Sequence, residues 1–195
     1  VPGEEPVKVS RLRIRNLSGR TRHLTLTAYV EWVLGTSRSS TAPFVATEID
    51  PVTGGMLARN LWGGTETRVA FTDLGGLQTA WTGNRMEFIG RNGTLERPAA
   101  LATGAKLSGR TGAGLDPCGA LQTSVVLAAH SSVELVWLLG EADTAQAAQA
   151  LIARWRGEDV DVALQSVRAD WSAVLDTATV RTPDRAFDLM LNGWL

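Results

Sequence analysis

Four carboxylates, Glu31, Glu48, Asp50 and Glu87, lie on or beside segments that read as β-strands. Two carboxylates at a set separation are the usual means of cutting a glycosidic bond, one donating a proton and the other acting as base or nucleophile. Spacing along the chain does not set that separation. On the solvent face of a strand a carboxylate needs no special role, and the four are expected there. The chain also carries seven tryptophans, whose indole faces can stack on sugar rings. Trp155, Trp171 and Trp194 fall on apolar stripes of helical period and are expected in the core. Trp62 and Trp81 sit in less regular surroundings and stay open as stacking platforms.

Other reactive groups return little. His23 and His130 lie far apart, each at a strand edge with no Cys, Asp or Glu at ligand spacing, so both read as surface or turn residues. A nucleophilic thiol needs a lowered pKa. Cys118, in Leu115-Asp116-Pro117-Cys118-Gly119-Ala120, shows no cation or helix N-terminus to lower it and reads as a buried structural thiol. The pairs Gly54-Gly55, Gly63-Gly64 and Gly75-Gly76 do not open a helix after a strand, so they are turns rather than a phosphate cradle. No catalytic, cofactor-binding or metal-ligating residue is assigned to this chain.

Bulk properties narrow the partners. Among 195 residues, Lys and Arg (19) nearly balance Asp and Glu (20), and the formal net charge of -1 gives no electrostatic case for nucleic acid or an anionic membrane. One cysteine excludes an internal disulfide and a multi-thiolate zinc site. No apolar run approaches the ~20 residues of a membrane span, and Val1 opens no signal-peptide pattern. A hydrophobic content of 44% is enough for a sizeable core.

The elements that must position these groups are strands first and helices last. Val7 to Ile14 reads as a strand whose phase shifts near Ser10-Arg11, as a bulge would cause, followed by a turn at Asn16 to Arg20. Leu24, Leu26, Ala28, Val30 and Trp32 alternate with Thr25, Thr27, Tyr29 and Glu31, the pattern of a half-buried antiparallel strand. Phe44 to Ile49 and Met56 to Asn60 flank a Pro- and Gly-containing loop and form a hairpin. Further strands are expected at Arg68 to Phe71, Met86 to Ile89, Ala120 to Leu127 and Val133 to Leu139. A turn is expected at Asn92-Gly93, and a surface excursion between Thr94 and Asp116.

The period then becomes helical. Asp143 and Gln146 are spaced as a capping box ahead of Ala148, Leu151, Ile152 and Trp155, and Gly157 ends that helix. Val160, Ala163, Leu164, Val167, Trp171, Val174 and Leu175 share one stripe of a second. A third opens with Thr182 as N-cap and Pro183 as first helical residue, and carries Ala186, Phe187, Met190, Leu191 and Trp194 on one face. Strands clustered before helices predict a mainly β fold, an antiparallel β-sandwich followed by a helical linker. The apolar face of the third helix, cut off by the end of the sequence, is expected to belong to something larger.

The strings Tyr29-Val30-Glu31-Trp32-Val33-Leu34-Gly35, Glu48-Ile49-Asp50-Pro51 with Leu57-Ala58-Arg59-Asn60, Phe88-Ile89-Gly90-Arg91-Asn92 and Leu115 to Gln122 occur in this order in a known family. So do Thr182-Pro183-Asp184 and Leu191-Asn192-Gly193-Trp194-Leu195. Together they resemble inverting glycoside phosphorylases of the cellobiose phosphorylase type, glycoside hydrolase family 94. The likeness is closest to the phosphorylase-like region of bacterial cyclic β-1,2-glucan synthases. The resemblance implies residues 1–141 as later strands of a larger sandwich, 142–181 as helical linker, and 182–195 as the first helix of an (α/α)6 catalytic barrel. In such enzymes inorganic phosphate is the nucleophile and a single carboxylic acid in the barrel protonates the leaving oxygen. That acid lies beyond this chain, so the chain alone should be inactive. The resemblance further implies β-glucan as partner through the parent protein, the barrel as the missing contact, self-association through the exposed third helix, and a bacterial, cytoplasmic-side region of an inner-membrane protein.

Two readings follow. One is the non-catalytic sandwich and linker of a glucan-processing glycosyltransferase or phosphorylase. The other is an independent carbohydrate-binding sandwich with Trp62 or Trp81 as its platform. A weaker third, a glycosidase using strand carboxylates, requires hydrolysis that Glu31→Gln or Glu48→Gln abolishes.

Overall fold

In the computed structural model, residues 1–3, 5–62, 67–102, 105–177 and 179–194 are described, the side chains of 193 and 194 excepted. The described residues form eight strands: Val7–Arg15 (β1), Arg22–Glu31 (β2), Val45–Ile49 (β3), Met56–Asn60 (β4), Val69–Asp73 (β5), Ala80–Asn84 (β6), Pro117–Leu127 (β7) and Ser132–Ala142 (β8). The helices are Arg38–Thr41 (α1), Arg85–Ile89 (α2), Ala145–Gly157 (α3), Val160–Leu175 (α4) and Arg185–Trp194 (α5). Contacts divide the chain into two units, one of Val7–Gly157 and one of Val1–Pro6 with Glu158–Leu195.

The larger unit is a sandwich of two antiparallel sheets. Five strands run in the order β1-β8-β5-β4-β3 and three in the order β2-β7-β6. Period-2 alternation sends Met56 from the large sheet, with Leu74 just past the end of β5, to meet Ala28 and Leu121 from the small one. Trp32, Val45 and Ala58 form a neighbouring part of the same interior. The opposite face of the large sheet is covered by α3, which packs on β5 and β8 and buries Ala148, Ile152 and Trp155. The outer face of the small sheet is covered too, because Phe88, Ile89, Ala100 and Leu107 cluster on Ala120 with Tyr29 and Ala80 around them. Each fully buried side chain such as Phe71, Leu57 or Leu138 removes enough apolar surface from water for ~1.5–3 kcal/mol.

Several sequence-based expectations are corrected. The register from Val7↔Gly140 to Arg15↔Ser132 runs without interruption, so β1 has no bulge at Ser10-Arg11. Met86 to Ile89 is helical rather than extended: the Asn84 side chain accepts from the Met86 N–H at 3.1 Å and caps α2, which drops Phe88 and Ile89 onto the small sheet. The segment from Thr94 to Asp116 is partly a cover for that sheet rather than a free excursion. Strand β6 has no counterpart among the expected strands. The cap of α3 is Thr144, whose hydroxyl accepts from the Ala147 N–H at 3.1 Å. Helix α3 belongs with the strands in the larger unit, where the sequence grouped it with the helices after it.

In the smaller unit Asp159 caps α4 by accepting from the N–H groups of Asp161 and Val162. No residue of α4 is buried, and Trp171, expected in the core, is 62% exposed. Helix α5 starts later than expected. Asp184 accepts from the Ala186 N–H at 2.9 Å, while Thr182 donates its N–H and hydroxyl to Asp188 at 2.7 and 2.9 Å. Asn192 reads the backbone of Val180, donating to its carbonyl and accepting from its N–H, both at 2.8 Å. The side chain of Trp194 lies outside the described residues, as does the Gly63-Gly64 pair.

Candidate functional site

The connection from β2 to β3 closes one end of the sandwich, carrying the chain from the small sheet to the large one. Its first anchor is a ring of alternating charges. Glu31, at the end of β2, accepts from Arg85 Nε at 2.7 Å and from Arg38 Nη1 at 3.0 Å. Arg38 also pairs with Asp116, and Arg85 Nη1 lies 3.7 Å from the same carboxylate. Tyr29 donates its hydroxyl to Glu31 at 2.8 Å and stacks on Phe88 with ring centres 4.3 Å apart. Burial first, then the hydrogen bond to Glu31, raises the Tyr29 phenol and keeps it a donor.

Three of the four candidate carboxylates therefore do not face solvent on a strand, which corrects the sequence expectation. Burial acts to raise the Glu31 pKa but is outweighed by hydrogen bonds from Arg85 and Tyr29 and by the charge of Arg38, leaving it lowered. Asp50, 2% exposed, accepts from the Thr53 N–H and hydroxyl at 2.7 and 2.6 Å and from Gln149 at 2.7 Å. Burial raises its pKa too, and these donors more than reverse that. Glu87 shows the same balance, with Thr82 at 2.7 Å and Ser108 at 2.6 and 2.8 Å overcoming burial. A general acid at neutral pH needs the opposite shift. Only Glu48 behaves as expected, on the surface in an ion pair with Arg59 at 2.9 Å.

The other flank of the same connection is built differently. A cavity of about 270 Å³ is lined by Leu34, Gly35, Asn60, Arg68, Ala70 and Glu141. Leu34 holds a positive φ of 42°, a costly conformation for a branched side chain. Asn60 Nδ2 fixes it by donating to the Leu34 carbonyl at 2.9 Å, and Thr41 donates its hydroxyl to the Val33 carbonyl beside it. Gly35 has no alternative, since a Cβ there would overlap the Thr41 methyl group. Of the charged groups at this cavity, Arg68 stands 3.9 Å from Glu141 and 3.6 Å from Asp143, both beyond a direct hydrogen bond. Asn60 Oδ1 accepts from the Trp62 N–H at 2.9 Å, and Trp62, 66% exposed, meets Phe44 edge to face at 4.4 Å between ring centres.

The other singled-out residues separate cleanly. Trp81 is half-buried against Met56 and Leu121 and donates its indole N–H to the Gly109 carbonyl at 3.1 Å, so its ring is packed and its N–H is engaged. Trp155 is buried as expected. His23 and His130 are exposed, and among the described residues no group of three His, Cys, Asp or Glu is placed to hold a metal. Cys118 is fully buried, and burial first, then Asp116, pushes its thiol up to about 12. Arg68 and Glu141 escaped sequence reasoning because neither sits in a motif and they are far apart in the chain, one just ahead of β5 and the other in β8.

Glycosyl hydrolase 94 supersandwich domains match this chain over residues 1–158. The cyclic beta-(1,2)-glucan synthase NdvB of Rhizobium meliloti (strain 1021) is 38% identical to it over 191 residues, which is 97% of this chain and 7% of that protein. The chain thus spans a small part of the length of that curated relative. Among the described residues no helix is long and apolar enough to cross a membrane.

Proposed function

The chain belongs to the glycosyl hydrolase 94 supersandwich family, and on that premise we propose that it is the non-catalytic sandwich and helical portion of a bacterial glucan-processing glycosyltransferase or inverting phosphorylase. In this reading it supports an (α/α)6 catalytic barrel supplied by the parent polypeptide, on the cytoplasmic side of the inner membrane. The parent acts on β-glucan with inorganic phosphate as co-substrate, and helix α5 is the first element of the barrel.

The observation that carries the proposal is the likeness to a glucan synthase through 97% of the chain. The carboxylates support it. Glu31, Asp50 and Glu87 have lowered pKa values and are committed to neighbouring donors, so none of these three is poised as a general acid. The test is an assay of the purified chain with linear β-1,2-glucan and phosphate, beside the parent enzyme carrying Arg156→Met. The chain alone should release no glucose 1-phosphate, and the substitution should impair the parent. Turnover by the chain alone would overturn the reading.

A further inference from the structure

The two long sides of the sandwich are finished differently. On one side the segment around Gly109 to Gly112 laces the sheets together. Gly109 donates its N–H to the Trp81 carbonyl at 2.9 Å and Gly83 donates to the Arg110 carbonyl at 2.7 Å, while Thr47 of β3 donates to the Gly112 carbonyl at 3.1 Å. On the other side β1 ends the large sheet and β2 ends the small one, and among the described residues no strand lies beyond either. We infer that the open edge of β1 is a docking site for one added strand, a segment elsewhere in the parent polypeptide in which apolar residues alternate with Asp or Glu. The parent as source rests on the proposed function. The site and the chemistry of its occupant rest on the residues along this side.

The interior is left unfilled here. Leu12 pairs across the ladder with Leu135 and Ile14 with Val133, which sets these β1 side chains on the inner face of the large sheet. A cavity of about 300 Å³ opens between the two edge strands, walled by Leu12 and Leu135 from one sheet and by Leu26 and Ala28 from the other. A second, of about 520 Å³, lies between Ile14 and Leu24 nearer the turn that joins β1 to β2. Leu12 is 50% exposed and Ile14, Leu24 and Leu26 are half-buried, whereas Ala28 and Leu121 farther along the inner face are buried. An inner face left wet at a sheet edge favours strand addition, because backbone pairing supplies affinity and alternate side chains fill the cavity.

Charge decides the occupant. Arg11, Arg13 and Arg15 alternate with Leu12 and Ile14 and so form a row on the opposite face of β1. Glu134, paired with Arg13 at 2.8 Å, is the carboxylate across the ladder from that row, where Arg11 and Arg15 face Val136 and Ser132. A strand laid along β1 sets its outward side chains directly beside these arginines, where opposite charges stabilise and like charges destabilise. A second copy joined edge to edge as an antiparallel pair brings arginine against arginine and is disfavoured. Acidic residues at every other position are favoured, with the apolar residues between them reaching Leu12 and Ile14.

The experiment puts a photocrosslinking phenylalanine analogue in place of Leu12 in the parent enzyme and maps the crosslinked peptide by mass spectrometry. The crosslink should fall within the same polypeptide, in a segment that alternates apolar and acidic residues. Arg11→Glu combined with Arg13→Glu and Arg15→Glu should lose most of it, and Lys at the same three positions should keep it. Amide hydrogen exchange gives a reading free of substitutions. The outward N–H groups of β1 should exchange at least about tenfold more slowly in the parent than in the 195-residue chain. A crosslink to a second copy, a crosslink to a segment without acidic residues, no crosslink at all, or equal exchange in the two proteins would overturn the docking site. None of these outcomes touches the scaffold reading, which is decided by the glucose 1-phosphate assay.

Discussion

Arg156, in the last turn of α3, grips both oxygens of Asp73, with Nε at 3.0 Å from one and Nη2 at 2.6 Å from the other, and Asp73 is completely buried. The same Nη2 donates to the Thr53 carbonyl at 2.6 Å, so a single guanidinium ties the helix to β5 and to the β3–β4 turn. Arg156→Met would remove the cation from a buried carboxylate and leave it the Gln78 amide, which donates at 3.0 Å. Its cost should be about 3 kcal/mol, the low end for such a loss because Arg156 keeps some solvent contact. Urea unfolding of the chain measures it, and Arg156→Met combined with Asp73→Asn should recover part of the loss through coupling of the two sites.

Acid should loosen the sandwich over a definite window. Glu31, Asp50 and Glu87 are each held below their ordinary values, ~4.3 for Glu and ~3.9 for Asp in an unfolded chain. Their contribution is therefore complete above those values and is lost as pH falls through the lower folded-state values. The urea midpoint should hold between about pH 7 and about pH 5 and drop below about pH 4. Glu31→Gln should flatten that drop while lowering the neutral-pH midpoint; a midpoint indifferent to acid would contradict the ring.

Cys118 should behave as an inert thiol. It is fully buried, and burial pushes its thiol up to about 12, with the Asp116 carboxylate adding to that and the Arg38 charge too weak to reverse it. A disulfide reagent such as DTNB should label it only at the rate of unfolding, and addition of urea past the midpoint should release it at once. Fast labelling of native protein would place the thiol elsewhere.

The apolar stripes of the C-terminal helices are exposed, with Trp171 at 62%, Val174 at 64%, Leu189 at 64% and Met190 at 49%. Large exposed apolar patches favour association. The purified chain is expected to self-associate with concentration in sedimentation velocity, and Trp171→Lys with Leu189→Lys should shift it toward monomer. A monomer throughout would remove self-association from the proposed partners.

Much of the sandwich was legible because alternation and turn chemistry act locally. Leu24 to Trp32 alternates as β2 requires, and the Asp50 to Gly55 turn closes through Asp50 N–H to the Gly55 carbonyl at 2.8 Å. Met86 to Ile89 misled because a short β-favouring run cannot outvote the Asn84 cap and a sheet face waiting to be covered. The carboxylates misled for another reason: the partners that bury and hold them come from distant positions, as Arg85 does for Glu31. Trp62 could be singled out as an irregularly placed indole. The strained Leu34 and the loosely paired Arg68 and Glu141 could not, since positive φ and spare hydrogen-bonding capacity have no signature in residue order.

The strand order has a consequence for the time at which this sandwich can come into being. Among the described residues β1 pairs with β8 and β2 with β7, so within this chain the pairings of β1 and β2 wait until β7 and β8 have been made. At a synthesis rate of ~5–20 residues per second that is a wait of several seconds on the ribosome, followed by long-range closure of the slow kind. Through that interval β1 carries Lys8, Arg11, Arg13 and Arg15 along its length, and mutual repulsion of four cations guards the edge that awaits β8 against pairing with its own copies.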